Sequence, residues 1–187
     1  MAGFNVRTLA LTAAFLASGA SLAVAGGNKM VGGAEMFPDK NIVENAVNSK
    51  DHTTLVAAVK AAGLVETLSG AGPFTVFAPT NEAFAALPAG TVDGLLKPES
   101  KDQLTKILTC HVLPTEAMSD AIAKMVQDGG GMTKVKTVGG CELTVKAADG
   151  KVMVEDESGG VANVTIADVD QSNGVIHVID KVLLPKS

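Results

Sequence analysis

Apolar residues recur at helical spacing through the first half of this chain and at alternate positions through most of its final third. Asn41 with Glu44 three residues on is capping-box spacing, and Ile42, Val43, Ala46 and Val47 form an apolar stripe behind it, which predicts a helix. A second helix is predicted from Thr53, with Leu55, Val56 and Val59 facing inward and Gly63 at its C-terminal cap. Leu64, Val65 and Leu68 continue as a short docking turn. After the breaker Gly70–Pro73, the aromatic and β-branched run Phe74–Ala78 predicts a strand that Pro79 ends. Thr80 or Asn81 then caps a helix burying Phe84 and Leu87, and Val92, Leu95 and Leu96 make a further apolar patch. Ser100 with Gln103 repeats the capping-box spacing ahead of Leu104, Ile107 and Leu108. Cys110–Leu113 reads as a strand stopped by Pro114, and Met118, Ile122, Met125 and Val126 return to helical period before Gly129–Gly131.

From Lys134 onward the pattern is β. Cys141, Leu143 and Val145 alternate with Glu142, Thr144 and Lys146, and Asp149-Gly150 is a hairpin signal ahead of Val152 and Val154. The acidic turn Glu155-Asp156-Glu157 precedes a strand through Val164 and Ile166. After the turn Asn173-Gly174, Val175–Leu184 is almost continuously apolar, as in a strand buried on both faces. Helices gathered before strands predict an α+β fold built on one sheet system.

The ends of the chain change the picture. Arg7, the apolar Thr8–Ala17 and the small-residue site Ala23-Val24-Ala25 have the order of a secretory signal, so residues 1–25 are expected to be cleaved. That apolar stretch is too short to span a bilayer, which takes roughly 20 residues, and no longer one follows, so no membrane anchor is expected. Removing 25 of 187 residues leaves 162, one domain's worth. Glycine-rich residues 26–38 read as a flexible lead-in and 39–187 as the domain. Arg7 is the only arginine, so the mature chain carries 14 lysines against 20 acids, a formal charge of −6. Without arginine, tyrosine or tryptophan, such a chain lacks the forked phosphate donors and best stacking rings of nucleic-acid binders.

Two cysteines in an exported chain suit a disulfide, Cys110 to Cys141; two buried thiols packing as small apolar groups is the alternative. His111 and His177 fall in predicted strands among apolar residues, where an imidazole satisfies a buried hydrogen bond. A Cys110–His111 dyad is disfavoured because strand neighbours point to opposite faces. No paired metal-ligand spacing joins these cysteines and histidines, and Glu155–Glu157 lacks the alternation of a calcium loop and reads as a solvated turn. Asn163-Val164-Thr165 is a glycosylation sequon set within a predicted strand. Neither a glycine-rich phosphate loop after a strand nor a Gly-x-Ser-x-Gly elbow occurs, so no catalytic residue, cofactor or metal is expected.

Residues Gly72–Phe84 resemble the first signature box of the fasciclin (FAS1, beta-Ig-H3) domain, and Asn173–Asp180 with Val182–Pro185 resemble the second. The resemblance spans roughly residues 39–186. It implies a wedge-shaped domain with the two boxes on adjacent central strands. It also implies a secreted, non-enzymatic adhesion or interaction role, with cell-surface or extracellular proteins or glycans as partners. Cys110-His111 stands where the family usually has a Tyr-His pair, so only His111 of that adhesion pair matches. Asp168-Val169 is similar to an Asp-Ile pair implicated in integrin recognition, which makes Asp168, Val169 and His111 the implied binding residues. The alternative is an extracytoplasmic carrier of a lipid, pigment or haem, its pocket lined by Met118, Met125, Met132 and Met153.

Overall fold

A computed structural model describes residues 28–148 and 150–186, so the expected signal segment around Arg7 and Ala25 lies outside the described residues. The segment read as a lead-in begins with a hairpin, β1 (Met30–Val31) and β2 (Ala34–Glu35), turning on Gly32 and Gly33. Val31 and Met36 are buried, and Asn45 brackets Phe37 by accepting its N–H and donating to its carbonyl. Two apolar anchors and one buried amide thus tie residues 30–37 into the domain, where composition alone suggested a loose tether.

Helix α1 (Ile42–Ala46) opens with the expected reciprocal box between Asn41 and Glu44. A 3-10 turn (Lys50–His52) leads into α2 (Thr53–Ala62), which Gly63 ends in the left-handed conformation, φ 75°. Then follow α3 (Val65–Ser69), β3 (Phe74–Pro79), α4 (Asn81–Ala85) and α5 (Thr91–Leu95). Thr80 caps α4 through the Ala83 N–H. Helix α6 (Lys101–Thr109) differs from expectation: a 3-10 turn at Pro98–Ser100 winds straight into it, and the Ser100 side chain makes no capping bond. The predicted strand Cys110–Leu113 shortens to β4 (Val112–Leu113), because Cys110 is the C-cap of α6 and His111 N–H still bonds the Leu108 carbonyl.

Helix α7 (Ser119–Asp128) precedes the strands β5 (Met132–Lys136), β6 (Glu142–Ala148), β7 (Lys151–Glu155), β8 (Val161–Gln171) and β9 (Gly174–Ile179). Among the described residues they form, with β3 and β4, a seven-stranded sheet in the order β4-β3-β9-β8-β7-β6-β5. Strands β3 and β9, which carry the two boxes, lie parallel and adjacent, Phe74 opposite Gly174 through Pro79 opposite Ile179, as the resemblance implied. Gly174, at φ 149°, is required there: a Cβ would collide with the Phe74 backbone.

The sheet has cores on both faces. Val76, Ala78, Ile176 and Val178 pack with α1, α2, α4 and α6, whereas Phe77, Ile179, Leu143, Val145 and Val154 enclose Ile122 and Val126 of α7. Alternation along β3 and β9 sends successive side chains to opposite cores, so every residue of β9 is buried.

Candidate functional site

Cys110 and Cys141 are bonded, with Cα atoms 5.4 Å apart, and the bond pins the end of α6 to the start of β6. Thiol chemistry at Cys110 is therefore removed by the disulfide, rather than by the strand geometry expected from sequence. His111 is buried with both ring nitrogens engaged. Leu183 N–H donates to Nε2 at 2.9 Å, so the proton resides on Nδ1, which donates to the Ile107 carbonyl at 2.8 Å. Burial pushes its pKa down to about 4, against the opposing pull of the Ile107 carbonyl and the Asp156 charge. His177, stacked on Phe77 with ring centres 5.8 Å apart, is fixed the other way round: Nδ1 accepts the Asp168 N–H and Nε2 donates to the Ala117 carbonyl. Burial lowers its pKa as well, outweighing Ala117 and Asp168.

Asp168 lies inside β8, beyond the Val164 and Ile166 that mark this strand in the sequence. It sits at φ 55° where the register with β9 shifts, a bulge that turns the side chain toward α7. Its carboxylate accepts the Ser119 N–H at 2.6 Å and the Ser119 hydroxyl, capping a helix whose own N-cap, Met118, has no capping side chain. Burial raises the Asp168 pKa, but the Ser119 bonds, His177 and Lys29 outweigh it and hold it below the usual carboxylate range. Val169 is buried in the helical-side core. Of the three implied binding residues, Val169 and His111 are thus enclosed, and Asp168 alone borders solvent, in a groove of about 300 Å³ shared with Lys29, Met118, Asp120 and Asp170.

Two polar sites escaped sequence reading. Asp156 of the supposed solvated turn is buried. One of its oxygens accepts from the Ser158 N–H, the Ser158 hydroxyl and the Gly160 N–H, and the other accepts the Leu184 N–H. The signal was present in Asp156-Glu157-Ser158-Gly159-Gly160, an Asx-turn composition. His52 is also buried; Nδ1 pairs with the Ser49 hydroxyl at 2.9 Å, and Nε2 has no partner among the described residues. Nothing in its surroundings Asp51-His52-Thr53 marks that burial in advance.

The sequon residue Asn163 is exposed in β8 and donates its amide to Asp180. Among the described residues no three His, Cys, Asp or Glu are grouped to hold a metal ion, and no helix is long and apolar enough to cross a membrane. The apolar cavities are small, about 40 Å³ beneath α1 and α2 and about 30 Å³ beside His52. An open groove of about 220 Å³ lies between α7, β5 and the segment after β4. Met118 and Met125 border different grooves, and Met132 and Met153 line neither of these two.

The Fasciclin domain family profile matches residues 50–185. Protein sll1483 of Synechocystis sp. is 58% identical over 144 residues, covering 77% of this chain and 73% of the relative. The cell surface glycolipoprotein MPB83 of Mycobacterium bovis is 40% identical over 122 residues, covering 65% of this chain and 48% of that protein. A solved FAS1 domain pair from the insect cell adhesion molecule fasciclin I superposes with a TM-score of 0.68 at 20% identity, covering 78% of this chain and 51% of that one. A wedge of helices on a curled sheet, with its two boxes on adjacent parallel strands, is a FAS1 fold. This chain belongs to the fasciclin domain family.

Proposed function

We propose that this protein is an exported, non-enzymatic interaction domain that makes contacts at the cell surface or in the extracellular space. The observation that carries the reading is how its reactive side chains are used. Both cysteines are spent on one disulfide, and His111 and His177 have both ring nitrogens bonded within the fold. Such a scaffold holds a rigid outer surface, and contact chemistry falls to that surface. The cell-surface placement in the name of the mycobacterial relative, together with the signal-like order of residues 1–25, supports action outside the cytoplasm.

The test is attachment. Protein purified from the exported fraction, its N-terminus determined by sequencing, is coupled to beads and presented to cells of the source organism and to arrays of extracellular proteins and glycans. Saturable retention at matched protein loading is expected, together with a mature N-terminus at Gly26. Absence of retention on every surface, or an uncleaved chain held in the membrane, would reject the reading. Asp168→Asn, which keeps an oxygen for Ser119 while removing the charge, and Asp170→Asn decide whether the 300 Å³ groove contributes.

A further inference from the structure

We infer that the free edge of β5, with the apolar groove beside it, is a docking site for an extended acidic–apolar peptide segment of a partner protein, which adds as an eighth strand. The inference rests on the interaction reading above and names a surface and a partner chemistry for it.

The sheet ends on β4 at one side and β5 at the other, and it curls far enough for the two edges to meet once: Val138 N–H donates to the Val112 carbonyl at 2.8 Å. Beyond that bond they part. Pro114 has no N–H to continue β4, and Thr75 clamps the following residues to β3 by donating to the Thr115 carbonyl and accepting the Ala117 N–H. Strand β5 continues alone. Thr137 N–H bonds the Cys141 carbonyl on the β6 side and Val138 N–H points the other way, so alternation turns the backbone groups of Lys136 and Lys134 away from β6. Among the described residues no hydrogen bond takes up those groups.

Side chains beside this edge divide by face. Thr133 and Val135 turn into the 220 Å³ groove with Leu113, Ile122 and Met125; the exposed Lys136 borders its rim, and the exposed Lys134 stands outside it. Three of the five large exposed apolar side chains in the described residues surround the site: Met125 at 38%, Met132 at 51% and Val138 at 45% exposure. Such clustering on a small protein marks an interaction surface rather than scattered exposure.

The charges select the occupant. Lysines on an edge strand oppose pairing with a second copy, because β5 against β5 would bring Lys134 and Lys136 against their own kind. Lys134 reaches Glu142, but Lys136 has no carboxylate partner among the described residues. An added strand with acids on the lysine face and aliphatic side chains on the groove face satisfies the ladder, the groove and the charge together.

The probe is the capped heptapeptide Ac-EVEVEVE-NH2, titrated into the 15N-labelled exported protein, with Ac-KVKVKVK-NH2 as its charge-reversed control. The acidic peptide is expected to shift and protect the amides of Lys134 and Lys136 and to shift Val135 and Met125. The basic peptide should bind roughly tenfold more weakly or worse. Lys134→Pro, which an edge strand tolerates because that N–H is not in the ladder, should abolish the effect with the rest of the spectrum unchanged. Should that variant fail to fold, Lys134→Glu with Lys136→Glu should invert the preference between the two peptides. No β5 shifts at about 1 mM acidic peptide, equal binding of both peptides, or variants that bind like the parent would overturn the inference. Concentration-dependent dimerisation protecting β5 without peptide would overturn it in favour of a second copy. If the peptide fails while bead attachment persists, the interaction reading stands and this surface does not carry it.

Discussion

Asn173 joins three parts of the chain through one side chain: its carbonyl oxygen accepts the Ile42 N–H at the start of α1, and its amide donates to the carbonyls of Leu68 and Gly70. Asn173→Ala strands those groups in a half-buried site, where each unmet bond costs about 1–3 kcal/mol. A loss at the upper end of that range is expected, read as a lower denaturant midpoint with the far-ultraviolet spectrum retained. Asp168 offers a finer comparison, since its φ of 55° suits asparagine and its carboxylate caps α7. Asp168→Asn keeps the conformation and one acceptor, so a small change is expected. Asp168→Ala loses the cap and adds backbone strain, for roughly 1–2 kcal/mol or more. Equal unfolding midpoints for the two variants would show that the side-chain oxygen is not holding the helix.

At the scale of elements, the disulfide is the strongest covalent constraint between the helical half and the strands. It closes a loop of 31 residues, and the chain-entropy account assigns such a loop roughly 3–4 kcal/mol. The same junction is held by Gly139 N–H on the Thr109 carbonyl and Val138 N–H on that of Val112. Reduced protein should therefore keep its amide spectrum in native buffer while its urea midpoint falls; an unchanged midpoint would contradict the account. These elements also show which structure the sequence could announce. Asn41 and Gly63 act within one turn of the helix they terminate, and short-range rules find them. Helices α1, α2 and α7 also receive caps from afar, Asn173 on Ile42, Asn81 on Thr54 and Asp168 on Ser119. Those partners lie 131, 27 and 49 residues away, beyond any local pattern. Asp168 is hard to place for the same reason: an acid after a strand looks like a turn former until a helix terminus on the far side of the bulge supplies its partner. The box strands were visible because burial on both faces writes a continuous apolar run. The edge of β5 was not, since a free edge is defined by what fails to pair with it.

For the whole molecule, the three histidines are its only imidazoles, and all three are buried. Burial lowers the pKa of each, that of His111 to about 4. In the unfolded chain each titrates near 6.5. Between pH 6.5 and 4 the unfolded state thus binds more protons than the folded one, and stability rises with pH across that window. The contribution is fully present above about pH 7 and is lost as pH falls toward the folded-state values. A shift from 6.5 to about 4 at the fully enclosed His111 corresponds to roughly 3 kcal/mol at the acid end. The structure gives the loss a location. Protonating Nε2 of His111 turns an acceptor into a donor facing the Leu183 N–H, so the C-terminal segment held by His111, Asp156 and Glu157 is where acid strain concentrates. Urea unfolding at pH 7.5, 6, 5 and 4.5 should show a steadily falling free energy. Near pH 5, proton uptake on unfolding should be smaller by close to one in His111→Gln than in the parent, whatever that substitution costs at neutral pH. A free energy that stays level from pH 7.5 to 5, or equal proton uptake in parent and variant, would mean that His111 is not held neutral by the fold.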